Sequence, residues 1–511
     1  MSSAKKNIPF KPYIQNQLHL LPPSLDQLIA ENHPVRVVND VIEKLDIDCL
    51  LKSYKGGGTT SYHPRMLLKV LVYSYLSNIY SSRKMEQGLK ENIHLMWLSG
   101  MSQPDHNTIN RFRTERLKGV IKKVFSEIVL LLVGSGHISL KEAYTDGTKI
   151  EANANKYTFI WGNAIKTSKE RIVKQLEELW AHGQKVAHEE LKDTTPITFE
   201  EISAEKVKAT VDQIQQAIAD KPVDKKVKQK LKYASKHWPE SLEKYQQQSE
   251  LLEGRNSASK TDPQATFMRM KEDHMKNGQL KPGYNLQLST NNQYITCYSL
   301  HQCSTDYPAF IPHFEEFETL YGMLPDTVTA DAGYGSEQNY QYLHNKGIEG
   351  YVKYNYFEQE QKGKRKAAAF HHSSLYYNKE KNTFTCPMGQ TMNFIGERKR
   401  TTDNGFIQTY QKYQAQNCNN CPLRSSCHTQ KGNRIIEVNH ALEQYKEIAR
   451  ANLLSEKGIA HRKQRVKDTE PVFANIKQNK NFRRFNLRGM LKVEIEAGLI
   501  AIAHNLKKMA A

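Results

Sequence analysis

Long apolar runs are absent from this 511-residue sequence, and cysteine is scarce in it. The longest purely apolar run, Ile128 to Val133, is far too short to cross a bilayer. The first nine residues contain no apolar segment of the kind that a secretory signal needs. Seven cysteines in so long a chain do not form a disulfide framework. We therefore expect a protein without a membrane contact, located in a reducing cytoplasm.

Acidic residues are too few to balance the basic ones. The chain has 73 Lys and Arg against 54 Asp and Glu, a formal charge of +19, and an isoelectric point near 9.3. Two blocks carry much of the excess, because residues 52–123 and residues 457–508 each hold 13 basic against 4 acidic residues. A strong basic excess is typical of proteins that bind nucleic acid. The two blocks predict two separate contacts with DNA or RNA.

The N-terminal part, residues 1–135, is predicted to be helical. Apolar residues recur at helical spacing from Pro34 to Leu45 and again from His63, and Ser81 and Ser102 mark the starts of two further helices. The last helix carries Asn110, Arg111 and Arg113, side chains that suit contacts with DNA. A helix-turn-helix-like module and a plain helical bundle with a basic surface both fit this pattern.

Three acids stand where a divalent cation could be held. Asp146 follows the β-rich residues 143–145, and Gly147 after it predicts a sharp change of backbone direction. Asp331 ends a second β-rich run, and Glu470 lies in a stretch that reads as a helix. Three carboxylates suit Mg²⁺ or Mn²⁺ rather than zinc. Taken singly, each acid could equally belong to a turn or to a solvated helix face.

The order of the elements predicts an α/β fold for residues 136–511. A strand with Asp146 is followed by a hairpin around Asn291, a helix, a strand with Asp331, a helix, a strand and a helix with Glu470. This order matches an RNase H-like catalytic core, a mixed sheet flanked by helices. Two insertions interrupt it: a charged helical one at residues 165–260 and a polar, Cys-containing one at residues 355–440.

Several segments carry a resemblance to a known family. The sequence is similar to the DDE transposases of bacterial insertion sequences, and within them to the group numbered eleven-eighty-two. The matching segments span nearly the full length: residues 16–25, 56–68, 144–154, 261–268, 330–336 and 470–477. The resemblance implies an N-terminal helical domain that binds the terminal inverted repeats of the element. It also implies Mg²⁺-dependent strand cleavage and strand transfer into target DNA by a protein that is a homodimer on its double-stranded DNA.

The resemblance also implies roles for particular residues. The catalytic triad falls on Asp146, Asp331 and Glu470, which would hold two Mg²⁺ or Mn²⁺ ions. Related transposases surround the last acid with a Y-x2-R-x3-E-x6-K pattern. Here Lys477 keeps its place, two turns after Glu470 on the same helical face, and is expected to contact a phosphate. Arg465, the nearest arginine and a second expected DNA contact, stands five residues before Glu470 instead of four, and the tyrosine has no counterpart.

The cysteines form a second candidate site. Cys418 and Cys421 make a CxxC pair, with Cys427 after it and Cys386 upstream. Four thiolates could hold a structural zinc ion, and reduced surface thiols explain the pattern equally well.

Two other functions are compatible with the sequence. One is an RNase H-like nuclease that cuts DNA without joining it, and the other is a non-enzymatic DNA-binding regulator derived from a transposase. A regulator tolerates the loss of catalytic acids, whereas all three are present. The basic blocks and the N-terminal helices favour recognition of element ends over a simple nuclease.

Overall fold

A computed structural model describes residues 24–52, 54, 61–187, 202–270, 278–363, 370–402 and 404–511. The α-helices are α1 (Pro34–Lys44), α2 (Asp48–Leu51), α3 (Pro64–Leu76), α4 (Ser82–Glu91), α5 (Ile93–Leu98), α6 (His106–Arg111), α7 (Ile121–Gly134), α8 (Gly162–Val186), α9 (Ala204–Ala217), α10 (Lys225–Leu252), α11 (Phe310–Tyr321), α12 (Glu337–Asn345), α13 (Phe357–Gln361), α14 (Arg424–Cys427), α15 (His440–Leu454), α16 (Glu456–Ala474) and α17 (Met490–Met509). None of these helices has the length and apolar character that crossing a membrane requires.

The strands form three sheets in the described part of the chain. They are β1 (Glu142–Glu151), β2 (Phe159–Trp161), β3 (Ser257–Ser259), β4 (Thr266–Arg269), β5 (Leu280–Asn291), β6 (Tyr294–His301), β7 (Thr327–Ala330), β8 (Glu349–Val352), β9 (Tyr376–Asn378), β10 (Thr383–Thr385), β11 (Thr391–Thr401), β12 (Ile407–Ala415) and β13 (Ile435–Val438). The protein is therefore of mixed α/β class, as the order of sequence patterns predicts.

A six-stranded mixed sheet forms the centre of the fold. Its order is β4-β5-β1-β7-β8, and β6 also pairs with β5. The pairs β1–β5, β4–β5 and β5–β6 are antiparallel, whereas β1–β7 and β7–β8 are parallel. The predicted hairpin is confirmed: β5 and β6 are joined at Asn292 and Gln293, both with positive φ, which fits the tight turn that suits the twist of paired strands.

Helices pack on both faces of this sheet, because neighbouring strand residues point to opposite sides. On one side Tyr144 of β1 meets His461 of α16, with the hydroxyl 3.1 Å from Nδ1. On the other side Thr145 contacts Ser289, whose hydroxyl lies 2.8 Å from Nε2 of the buried His313 of α11. The sheet is thus held between α11 and α16, and its two faces carry different chemistry.

The N-terminal helices share a core with the C-terminal end of the chain. α3 is buried along most of its length, and one hydrophobic cluster joins residues of α1, α3 and α7 with residues of the sheet and of α17. The predicted helices from Pro34, His63 and Ser81 are confirmed. The helix predicted from Ser102 begins at His106 with Asp105 as its cap, and α5, which the sequence patterns did not predict, precedes it.

The two interrupting stretches each contain a small core. α8, α9 and α10 pack around Leu176, Val211 and Trp238. The Cys-containing stretch forms a five-stranded antiparallel sheet, β13-β12-β11-β10-β9, around Phe384 and Tyr413. The sequence predicted a polar segment here and no strands. β9 and β10 have only three residues each, and few side chains of the longer strands β11 and β12 are buried. The periodic signal is therefore weak, which explains why the sheet was not predicted.

Candidate active site

Asp146 and Asp331 lie side by side on the central sheet. Tyr144 of β1 is in register with Thr329 of the parallel neighbour β7. Asp331 stands two residues after Thr329, directly beyond the end of β7. Asp146 stands two residues after Tyr144 within β1, so it points to the same face of the sheet as Tyr144. That face is covered by α16. The structure thus brings together two of the three acids that the sequence singled out.

Each of the two carboxylates has defined partners. Asp146 Oδ1 accepts a hydrogen bond of 2.8 Å from the backbone N–H of Gly147, and its Oδ2 lies 3.3 Å from Nη1 of Arg465. The Arg465 and Asp146 side chains are only 11% and 15% exposed. Asp331 Oδ1 accepts a 2.9 Å hydrogen bond from the N–H of Gly333 and caps the 3-10 turn Ala332–Tyr334. Arg465, which the sequence predicts to contact DNA, thus also pairs with a catalytic candidate.

Gly147 does not redirect the backbone as the sequence suggested. β1 continues through it to Glu151, and Gly147 pairs with Gln287 of β5. A Cβ at Gly147 would stand 2.7 Å from Asp306 Oδ1 and would collide with the amide of Gln287. Glycine is required here by the close approach of those two side chains. Asp146 is accordingly a mid-strand residue rather than a strand-end one.

Negative charge is concentrated around the buried Tyr334. Burial raises the pKa of its hydroxyl well above the ordinary value, and the nearby carboxylates of Asp306, Asp146 and Asp331 raise it further. Arg465 acts in the opposite direction. Asp306 was missed by sequence reasoning, because it follows no recognisable strand and only the fold brings it beside the acid pair.

Glu470 is on α16 but does not point at the two aspartates. It is exposed, and five helical residues place it about 140° around the helix from Arg465. Asp468, the acid of α16 that faces the sheet, is buried and accepts from the backbone N–H of Gln293. No group of three or more Asp, Glu, His or Cys side chains close enough to hold a metal ion occurs in the described ranges.

Lys477 does not share a helical face with Glu470, contrary to the expectation. α16 ends at Ala474, and residues 475–479 form a π-turn. The wider turn, with its i→i+5 hydrogen bonds, changes the angular spacing. Lys477 is consequently 8% exposed, whereas Glu470 is exposed.

The three expected DNA contacts of the N-terminal part have different environments. Arg111 is exposed at the end of α6. Arg113 is 3% exposed, and its guanidinium donates to the Tyr75 hydroxyl, to the Tyr80 carbonyl and to Asn110 Oδ1. Arg113 cannot reach a phosphate from this position. The side-chain oxygen of Asn110 already accepts a hydrogen bond from Arg113. The sequence alone does not show which of two arginines, two positions apart, is exposed and which is buried.

The four cysteines of the second candidate site line one cavity. Cys386, Cys418, Cys421 and Cys427 surround a space of about 20 Å³, without being drawn together tightly enough to form a metal cluster. Turns present the thiols: Gly389 after Cys386 has φ +78°, and Asn420 before Cys421 has φ +55°. Arg434 donates to Cys427 Sγ at 3.0 Å, and its backbone N–H is 3.4 Å from Cys418 Sγ.

Two families of known proteins match segments of the chain. Residues 385–510 match the family described as "Transposase DDE domain", and residues 23–115 match "Transposase domain (DUF772)". Searches of curated proteins and of solved structures gave no match. The α/β fold and both matches indicate a transposase. More closely, the two matches support a DDE transposase of insertion sequences; the group numbered eleven-eighty-two stays a prediction.

The matched segments lie at opposite ends of the chain and cover different parts of the candidate site. The DDE match contains Glu470 and the four cysteines, but neither Asp146 nor Asp331. The N-terminal match contains Arg111 and the basic helix α4. A DDE transposase domain implies nuclease and transposition activity, which acts on DNA, and such enzymes generally use divalent metal ions.

Proposed function

We propose that this transposase binds the terminal inverted repeats of its insertion sequence, cuts DNA there with the help of Mg²⁺ or Mn²⁺, and joins the freed ends to target DNA. The observation that carries the proposal is the placement of Asp146 on β1 beside Asp331, which directly follows the parallel neighbour β7. Two carboxylates so placed concentrate negative charge at one point of a strongly basic protein. Concentrated negative charge repels a polyanion, so it does not help the protein to bind DNA directly. It does suit the binding of a divalent cation.

The catalytic core is proposed to be RNase H-like. Three antiparallel strands, β6, β5 and β1, are followed in the sheet by the parallel strands β7 and β8. The first acid lies on the central strand β1, the second lies directly after its neighbour β7, and α16 crosses the face that both share. The order of strands and the positions of the two aspartates support this proposal.

The donor set fits the expected metal in part. Asp146 and Asp331 would supply hard oxygen ligands, and the ion pair of the Arg465 guanidinium with Asp146 Oδ2 supports a site that attracts positive charge. Glu470 would complete the set, as the resemblance implies, only after its side chain or α16 turns towards the sheet. Two ions bound there would activate the attacking oxygen and stabilise the leaving one.

The chain's own residues supply binding and orientation of the DNA. Gly333 N–H and Arg465 fix the two aspartates before DNA arrives. On α4, Arg83, Lys84 and Lys90 are exposed and, with Arg111, form a basic surface for the phosphate backbone. We propose that a homodimer holds two element ends in this way, in the cytoplasm and on the nucleoid.

The cysteine cavity is proposed to hold a structural Zn²⁺. Four thiols on one cavity, presented by two turns with positive φ, are the observation that supports it. Coordination of the ion by all four cysteines requires the thiols to move inward and the Arg434 contact with Cys427 to break. A closed four-thiolate site leaves no position for substrate, so its role would be to hold β9–β13 together.

Cleavage and joining can be tested with the purified full-length protein and the DNA that flanks its reading frame. The substrate is a labelled duplex that ends in the terminal repeat, with a supercoiled plasmid as target. We expect nicks at the repeat boundary and labelled plasmid with Mg²⁺, and neither with EDTA. Cleavage without any labelled plasmid would indicate a nuclease. Binding without cleavage in Mg²⁺ and in Mn²⁺ would indicate a DNA-binding regulator, and either result would contradict the proposal.

A further inference from the structure

Asp306 lies beneath the acid pair, on the side of the sheet away from α16. Its Oδ1 is 2.7 Å from the point where a Cβ of Gly147 would stand, and its Oδ2 is 3.5 Å from the corresponding point of Gly333. Asp331 Oδ1 is 3.1 Å from that same point of Gly333. Gly147 in β1 therefore leaves the room that the Asp306 carboxylate occupies, and Gly333 in the turn after Asp331 lies in ordinary contact with the same carboxylate.

Buried amides hold this carboxylate in place. Asn285 Nδ2 and Gln287 Nε2 both donate to Asp306 Oδ1, at 2.9 and 3.0 Å, and Gln287 also donates to Asn285 Oδ1 at 3.0 Å. Both amide side chains are fully buried on β5. Burying two amides is costly unless their hydrogen bonds are satisfied. Asp306 supplies the acceptor for both, so its orientation is fixed by the sheet.

The network continues to the turn that carries Asp331. The buried Tyr334 hydroxyl donates to Gln287 Oε1, and Tyr334 closes the 3-10 turn that Asp331 caps. Asn339 of α12 ties the two turns together, because its Nδ2 donates to the Tyr307 carbonyl at 3.0 Å and to the Tyr334 carbonyl at 2.8 Å. The turn after Asp306 and the turn after Asp331 are thus locked to one another.

We propose that Asp306 is a positioning residue for the acid pair: through Gln287, Tyr334 and Asn339 it fixes the turn that aims Asp331, and its charge adds to the attraction for a divalent cation. It lies across β1 from Asp146, so it acts through Asp331 and is not itself a ligand. The proposal rests on the metal-dependent function proposed above. Residues that orient metal ligands in this way change metal affinity about 10- to 100-fold when they are removed.

The test measures Mn²⁺ binding to the full-length protein by titration calorimetry, without DNA. Asp306→Asn removes the charge and keeps the size, and Tyr334→Phe removes only the hydroxyl that reaches Gln287. Asp326→Asn is the matched control, since Asp326 is an exposed aspartate just before β7. We expect D306N to weaken Mn²⁺ binding about tenfold or more, Y334F to weaken it less, and D326N to leave it unchanged. Amide exchange in the segment 331–336 should quicken in D306N, because its turn is released.

The outcomes separate this proposal from the one on which it rests. Wild-type Mn²⁺ binding that is lost in Asp146→Asn but kept in D306N would overturn the positioning role and leave the proposed function standing. A D306N protein that melts earlier yet binds Mn²⁺ as tightly as wild type would show a structural role alone and would also overturn it. Wild-type protein that binds no Mn²⁺ would contradict both.

Discussion

Arg111 and Arg113 stand two positions apart and face opposite environments. Arg111 is exposed, whereas Arg113 is enclosed by Tyr75, Tyr80 and Asn110. The two arginines are therefore expected to have different roles, although they are close in sequence. A guanidinium in water is available to a phosphate, and a buried one with three hydrogen-bond acceptors stabilises the fold.

Arg111→Ala should weaken DNA binding and leave stability unchanged, whereas Arg113→Ala should do the reverse. Loss of one phosphate contact lowers the slope of log affinity against log salt concentration by about one. Loss of a buried, hydrogen-bonded charge costs about 1.5–3 kcal/mol for each acceptor left unpaired. Filter binding at several salt concentrations and thermal melting distinguish the two. Equal melting temperatures for R113A and wild type would contradict the buried role.

Glu470 and Asp468 of α16 also stand two positions apart, with Glu470 exposed and Asp468 buried. Glu470→Gln should abolish end cleavage without lowering the melting temperature, because the carboxylate is exposed and is proposed to act only when metal is bound. Asp468→Ala should lower the melting temperature, since the N–H of Gln293 loses its acceptor at a cost of about 1–3 kcal/mol. E470Q protein that cleaves at the wild-type rate would remove Glu470 from the site.

At the scale of elements, strong periodic patterns were predicted well and tertiary placement was not. The hairpin of β5 and β6 around Asn291 and the helix that follows it, α11, were both predicted from local sequence patterns. The extension of β1 beyond Asp146 was missed, because Gly147 signals a turn locally and only the contact with Gln287 explains it. Asp306 could not be found at all, since its role depends on three separate elements.

The β9–β13 sheet provides a prediction at this scale. Its core is small, so closing the four thiols around Zn²⁺ should contribute to its stability. Protein purified under reducing conditions should contain about one Zn²⁺ per chain, measured by plasma emission spectroscopy. Cys421→Ser should lose the ion, whereas Cys297→Ser, at a buried cysteine of the central core, should keep it.

Chelation of the wild-type protein should then make the segment between β10 and β13 more sensitive to proteolysis. Metal-free protein with unchanged proteolysis after chelation would show that the cysteines are ordinary thiols. The central sheet carries its own core and should be unaffected by this treatment.

At the scale of the whole molecule, the two ends of the chain depend on each other. Lys480, in the segment between α16 and α17, is completely buried, and its Nζ donates to the Leu76 carbonyl at 3.1 Å and reaches the Tyr75 carbonyl at 3.5 Å. It thereby caps the C-terminal end of α3. Tyr75 in turn donates to the buried Glu496 of α17 at 2.9 Å. The N-terminal helices are fixed to the catalytic part by polar contacts as well as by apolar packing.

Lys480 makes stability depend on pH. Burial, with a smaller effect of Lys507, lowers its pKa from 10.5 to about 7. Above pH 7 the unfolded chain therefore binds more protons than the native chain, and stability rises with pH by up to about 1.4 kcal/mol per unit. The buried histidines, with pKa values of His301 and His504 lowered to about 4, titrate in the unfolded chain near 6.5. Cys297, with a pKa raised to about 12, titrates in the unfolded chain near 9.

The window between about pH 7 and about pH 8.5 consequently reports mainly on Lys480. We expect the melting temperature of wild type to rise relative to that of Lys480→Met across this window. Thermal melting of both proteins at matched ionic strength measures the difference. A constant difference across the window would show that the amine keeps its ordinary pKa.

The central claim is that Asp146 and Asp331 together hold the metal for DNA cleavage, and the cleavage rate at the terminal repeat tests it most directly. The measurement compares wild type, Asp146→Asn and Asp331→Asn in Mg²⁺, with binding to the same DNA measured in parallel. Metal ligands contribute several kcal/mol to the chemical step, so each variant should cleave about 1000-fold more slowly. Binding should change little, because affinity comes from phosphate contacts elsewhere. Cleavage by either variant at the wild-type rate would contradict the account.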